Sequence, residues 1–226
     1  QDEDESRELA KKLVSVSKKF GKKAVAVLTD MREPLGYKIG NWLEVEECIE
    51  VMKGKQVPDL IKVNNVLAGA MIFLGGKAGS IEAGEKIAEE LLAGENVYDK
   101  FLVMVKEHEG SVEYVEDYKN LKRAKHSKKI IAEKSGFVNK LDAYGFGLAN
   151  VELGGGRKKA DDSIDFLSGI ILEKKCGEKV AEGETICEVF AEDEEKFENS
   201  LYLIDKSIEI NEENTFKKNL ILDIID

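Results

Sequence analysis

The stretch LTDMREPLGYKIGNWLEVEE, residues 28–47, concentrates groups that could do chemistry. It holds one of the two prolines, the only tryptophan and two glycines, and then Glu44, Glu46 and Glu47. Pro34 and Gly36 would fix a loop backbone. Carbonyl oxygens on a rigid loop, joined by the Glu47 carboxylate, form the donor set of a hard-cation site. The loop follows AVAVLTD, residues 24–30, a short continuous apolar run that suits a strand buried in a parallel sheet. Ligand sites in α/β proteins favour the loops after such strands. The competing reading makes Glu44, Glu46, Glu47 and Glu50 a solvated helix face.

Three other groups invite chemistry. LGGGRKKADDSID, 153–165, offers three glycines and Arg157 to an anion, but no Gly-Lys-Ser/Thr follows as a P-loop demands. Asp161, Asp162 and Asp165 would repel phosphate, so a turn between strands is the preferred reading. KKCGEKVAEGETICEV, 174–189, has the glycine cadence of lipoyl and biotinyl carrier domains without their displayed lysine motif. His108 and His126 fall at a helix end and in a linker and read as surface residues. No nucleophile–base constellation can be built from this inventory.

The elements that must position these groups read as follows. A helix covers 6–20, capped by Ser6, with Leu9, Leu13, Val16 and Phe20 at helical spacing. Asn41 opens another, with Glu44 at capping-box spacing and Val45, Cys48, Ile49 and Met52 inward. Pro58 starts a third, with Leu60, Val63, Leu67, Ala70, Met71 and Leu74 inward, and Ser80 caps a fourth. A fifth spans about 96–108. The strand at 24–30 has no partner in the first hundred residues. Beyond 111 the pattern becomes strand-like: KKIIAE, GFVNKLDAYGFGLANVEL and SGIILEKKCGEKVAEGETICEVFA, then a helix near 193–205 and a final strand NLILDII. Glycine spacing there suits hairpins and a small barrel or sandwich.

The 226 residues suffice for one large or two modest domains and a sizeable core. Forty-five Asp and Glu against 34 Lys and Arg leave a formal charge of −11, which argues against nucleic acid or an anionic membrane as partner. The composition suits a cytoplasmic protein. Three cysteines, Cys48, Cys176 and Cys187, match no zinc spacing, and Cys48 reads as core. No apolar run is long enough to span a membrane and no signal peptide is visible. The first residue is Gln1 rather than Met, which reads as a processed or truncated chain.

Taken in order, these pieces resemble the pyrimidine-nucleoside phosphorylase and thymidine phosphorylase family. VLTDMREPLGYKIGNWLEVEECIEVMKG is similar to the family's TDM-x-x-PLG-x-x-x-GN-x-LEV-x-E segment. LGGGRKKADDSIDFLSGIILEKKCGEKVAEGE is similar to its LG-x-GR and following segment. The resemblance implies a phosphorolysis: a pyrimidine nucleoside and inorganic phosphate give the free base and a pentose 1-phosphate. It also implies a homodimer when full length. It implies an α/β fold in which residues 1–117, helices plus an orphan parallel strand, are the end of a mixed α/β domain. Residues 118–226 would form an α/β-hammerhead barrel-sandwich subdomain. In the family, the K-x-S-x-GG phosphate segment, the catalytic histidine and the base-holding residues all precede the TDM loop. The chain therefore looks like a C-terminal portion, inert by itself, with apolar surface that favours self-association. Some members hold potassium at this loop. Carried over by position, its ligands fall on Leu35, Lys38 and Glu47, where Lys38 departs from the expected small residue. The readings outside this one are a phosphorylase for another nucleoside and a non-catalytic barrel-sandwich binding module.

Overall fold

A computed structural model describes residues 2–226; Gln1, which prompted the reading of a processed chain, lies outside them. The first half runs α1 (Glu3–Lys19), β1 (Ala26–Thr29), β2 (Lys38–Ile39), α2 (Asn41–Met52), α3 (Pro58–Leu74), α4 (Ile81–Leu92), α5 (Asn96–Glu107) and α6 (Val112–Glu116). The second runs β3 (His126–Ile131), β4 (Gly136–Leu141), α7 (Ala143–Leu153), β5 (Gly169–Leu172), β6 (Lys179–Val180), β7 (Thr185–Ala191), α8 (Phe197–Ser207), β8 (Ile208–Asn211) and β9 (Ile221–Ile225). Among the described residues the architecture is mixed α/β, with three separate sheets and no closed barrel. Among the described residues no helix is long and apolar enough to cross a membrane.

The chain divides into two compact units. One comprises residues 1–30, 52–101 and 218–226. Its strand β1 is neither orphaned nor parallel: it pairs antiparallel with β9, Ala26 opposite Ile225. The apolar run was readable, but its partner lies at the far end of the chain, where no local signal points to it. Only Leu28 of β1 is buried, so the strand is not enclosed on both faces. In α1 the cap is Asp2, whose side chain accepts from the Asp4 N–H, and not Ser6. The buried positions of α1 are Ala10 and Val14, while Leu9, Leu13, Val16 and Phe20 are exposed. Leu67 and Met71 of α3 also face outward. Helices α3 and α4 pack backbone to backbone, because a Cβ at Gly69 or Gly84 would strike the other helix's main chain. Ser80 caps α4 as the spacing predicts, accepting from the Ala83 N–H at 3.1 Å.

Arg7 ties α1 to β9 through Asp223 at 2.7 Å and also reaches Glu3 at 2.9 Å. The Arg7 hydrogen bond holds the Asp223 carboxyl below its ordinary value. A carboxyl lowered by folding stabilises the fold above its unfolded pKa of about 3.9, and loses that contribution as pH falls through the lower folded value. Asp223→Asn is therefore expected to lower the melting temperature slightly at neutral pH. The gap to wild type should close below about pH 4. Melting curves across pH 2–7 check this, and a gap that stays constant into acid would contradict it.

The second unit comprises residues 31–51 and 102–217. Its four-stranded sheet runs β2-β5-β7-β3 and its three-stranded sheet β6-β4-β8, each with antiparallel neighbours. Phe146, Leu153, Ile170, Val180, Ile186 and Ile204 centre one continuous core, against which Tyr37 and Ile39 also pack. The run GFVNKLDAYGFGLANVEL is not all strand: after β4 it turns into α7. Two features explain the helix. Gly154 closes it in a left-handed conformation at φ 100°. At Gly145 a Cβ would strike the Ser207 hydroxyl, so the glycine admits α8 at close range.

Candidate functional site

The 28–47 stretch lies within the second unit from Met31 onward. Gly36 takes a left-handed backbone at φ 70°, and a Cβ there would collide with the Glu47 carboxylate. Glu47 accepts from the Tyr37 N–H at 3.0 and 3.2 Å and from the Lys38 N–H at 3.4 Å. The loop is fixed to the sheet beyond it. The Leu172 N–H donates to the Tyr37 carbonyl at 2.7 Å, and Lys38 stands opposite Ile171 in the β2–β5 pair. Glu44 accepts from the Gly40 N–H at 3.2 Å, four residues back, so the reciprocal capping box expected between Asn41 and Glu44 does not form. Asn41 instead donates to the Gly155 carbonyl at 2.6 Å.

Helix α2 buries Ile49 as expected, but departs from the expected face at its neighbours. Glu46 and Glu47 are each 2% exposed, whereas Val45 and Cys48 are exposed. Glu46 and Glu47 are thus not part of a solvated face, although Glu44 is exposed, and Cys48 is not core. Charge pairing makes the inversion possible. Arg123 grips Glu46 with two bonds at 2.7 and 2.6 Å. The buried Lys38 ammonium lies 3.2 Å from Glu46 and 2.9 Å from Glu50. The Arg123 guanidinium is held above its ordinary value, first by its hydrogen bonds to Glu46. A buried carboxylate is tolerated only with such partners.

Lys175, from the segment after β5, completes the arrangement. It is buried, and its ammonium donates to the Pro34 carbonyl and, at 2.9 Å, to the Gly36 carbonyl. It stands 3.8 Å from Glu33 and 5.6 Å from the centre of the Tyr37 ring. Glu33 in turn accepts from the Cys176 N–H at 3.1 Å. Sequence reasoning missed Glu33, Arg123 and Lys175. Arg123 and Lys175 lie 77 and 141 residues from Glu46 and Pro34, with no periodicity to connect them.

Of the three residues carried over as cation ligands, Lys38 and Glu47 are buried and Leu35 is exposed. The main chains of Tyr37 and Lys38 bring the loop against the Glu47 carboxylate. The Lys38 ammonium is directed to Glu46 and Glu50, and the Lys175 ammonium to the carbonyls of 34 and 36. Among the described residues no three His, Cys, Asp or Glu side chains converge as metal ligands. Carbonyl oxygens and a carboxylate are donors of the kind a hard cation takes.

The remaining candidates have structural roles. Gly154–Gly155 close α7, with the Gly155 N–H donating to the Asn150 carbonyl at 2.9 Å. Asp162 accepts from the Lys158 and Lys159 N–H groups, and Asp165 accepts from Ser168 at 2.5 Å. These carboxylates order the turn, which joins helix α7 to strand β5 rather than two strands. His108 is exposed, its Nδ1 2.9 Å from the Met104 carbonyl, and His126 opens β3 4.0 Å from Glu194. A groove of about 500 Å³ lies elsewhere, between β3 and β8, lined by Ile130, Ile186, Leu201 and Ile208 among others.

The thiols give a check on these environments. Burial pushes Cys187 up to about 12, and burial with the Glu33 charge does the same for Cys176. Desolvation, then Glu47 and Glu44, raises the exposed Cys48 thiol. One equivalent of a disulfide reagent is expected to react with the folded chain at pH 8, at Cys48 and more slowly than with a free thiol. All three should react after unfolding. Fast labelling of Cys176 in the folded chain would contradict the buried geometry.

The fold and site thus define a mixed α/β protein whose loop is pinned by buried charge. Comparison with known proteins places it. Residues 137–211 match the pyrimidine nucleoside phosphorylase C-terminal domain. The pyrimidine-nucleoside phosphorylase of Bacillus subtilis is 34% identical over 84% of the chain and 44% of that protein. Those of Geobacillus stearothermophilus and Staphylococcus haemolyticus are 32% identical over 86% and 94% of the chain, and 45% and 49% of their own lengths. The chain spans about half the length of these relatives and matches their C-terminal part. It belongs to the pyrimidine-nucleoside phosphorylase family, as its C-terminal portion.

Proposed function

We propose that this chain is the scaffolding C-terminal portion of an enzyme that phosphorolyses pyrimidine nucleosides. The observation that carries the reading is similarity across 84–94% of the chain to proteins named pyrimidine-nucleoside phosphorylase. In the whole enzyme a phosphate oxygen bonds to the sugar's anomeric carbon. The bond to the base nitrogen breaks, and its electron pair leaves with the base. Catalysis is by positioning and by stabilising charge on the sugar and the departing base. Residues 1–117 end the α/β domain, and 118–226 form the hammerhead barrel-sandwich subdomain. The whole enzyme is a cytoplasmic homodimer.

The loop in this proposal is a brace. Leu35 and Lys38 offer carbonyl oxygens and Glu47 a carboxylate to a potassium ion that ties the loop to the rest of the enzyme. The Tyr37 and Lys38 N–H groups hold Glu47 in place for it. The chain alone is inert, since its histidines are peripheral and its buried charges are committed to one another. The test is to incubate the pure chain with inorganic phosphate and uridine or thymidine. No release of uracil or thymine is expected, and turnover by the chain would overturn the scaffold assignment.

A further inference from the structure

We infer that the Lys175 ammonium is the resident monovalent cation of the loop at residues 33–38, and that removing it opens a site for a small exogenous alkylammonium ion. Two alternate carbonyls, of Pro34 and Gly36, point the same way and converge on Nζ. Gly36 makes this possible by its left-handed turn. The Tyr37 ring face lies 5.6 Å away and the Glu33 carboxylate 3.8 Å away. Carbonyl oxygens, an aromatic face and a nearby carboxylate form the coordination shell of an ammonium-sized ion. Here the ion is covalently attached, and at 4% exposure it is shielded from water. An ammonium has three N–H donors and no acceptor, so the two carbonyls replace water that burial has removed.

The anchor of Lys175 adds to the argument. It precedes Cys176, whose N–H binds Glu33 at 3.1 Å, so both ends of the loop's first turn are held from one dipeptide. This cation stands apart from the potassium proposed above, since its acceptors are the carbonyls of 34 and 36. The inference does not depend on catalysis, and its test reads structure. Failure here leaves the proposed phosphorolysis untouched, and the reverse also holds.

The experiment uses the whole chain with Lys175→Ala and Lys175→Met. Trp42, the only tryptophan, follows the loop directly and reports on it by emission. Amide exchange at 34–38 reads the loop itself, and exchange in β7 controls for global unfolding. Both variants are expected to shift Trp42 emission and to speed loop exchange at least tenfold while β7 stays protected. Propylammonium chloride, which replaces the atoms lost in Lys175→Ala, should reverse both effects in that variant with a saturable dose. Tetramethylammonium chloride at equal ionic strength should not, because it has no N–H donor. Lys175→Met, whose stem occupies the space of the lysine stem, should not respond to either salt. Wild-type loop exchange in Lys175→Met, or equal rescue of Lys175→Ala by both salts, would overturn the inference. If the variants do not fold unaided, folding of Lys175→Ala in propylammonium alone supports it, and folding in neither salt overturns it.

Discussion

Phe146→Ala is expected to destabilise the second unit by about 3–5 kcal/mol, the largest effect of any single substitution considered for this chain. Phe146 has no exposed surface and is the largest of the fully buried side chains. It projects from α7 into the core shared with Ile170, Ile186 and Ile204. Truncation removes its apolar area from that core and leaves a cavity. The backbone has little freedom to close it, because Gly145 already holds α7 against Ser207 of α8. A domain is typically stable by only about 5–15 kcal/mol, so the variant should lie close to its unfolding threshold. Urea unfolding followed by circular dichroism measures the change. A loss under about 1 kcal/mol would mean that α7 does not pack into the core as described.

Arg123→Met is expected to cost about 2–3 kcal/mol, by stranding a carboxylate rather than by opening a cavity. Glu46 is 2% exposed and depends on Arg123 for two of its bonds. Two facts keep the figure below the upper range for broken buried pairs. The Arg123 side chain is 45% exposed, and Lys38 stays 3.2 Å from Glu46. The decisive comparison is the double variant Arg123→Met with Glu46→Leu. Removing both charges abolishes the stranding, and Lys38 keeps Glu50 at 2.9 Å. The double variant should therefore be more stable than Arg123→Met alone. Additive losses in this cycle would show that Glu46 and Arg123 are not coupled.

What could be read from the sequence divides along a physical line. Local rules performed well: Ser80 caps α4, Pro58 starts α3, and the final strand occurs where its apolar run lies. Long-range partners had no local trace. Nothing near Ala26 announces Ile225, and nothing near Glu46 announces Arg123. Helix α2 shows the cost. Hydrophobic periodicity puts Val45 and Cys48 inside, yet Glu46 and Glu47 take the interior because distant cations and backbone N–H groups receive them. Helix α7 was hidden differently, since Gly145 and Gly147 suggest turns until α8 is known to press against the first of them. The family motif spans the loop around which the buried charges gather. Its partner Lys175 was invisible because one lysine in KKCGEK carries no sign of burial.

The central claim is that the chain supplies scaffold to a pyrimidine-nucleoside phosphorylase. Its most direct test is phosphate-dependent release of uracil or thymine from uridine or thymidine. The chain alone and the product of the whole reading frame that encodes it are assayed side by side. The account predicts release by the longer product only, with strict dependence on inorganic phosphate and formation of a pentose 1-phosphate. Release by the chain alone, or none by the longer product, would contradict it.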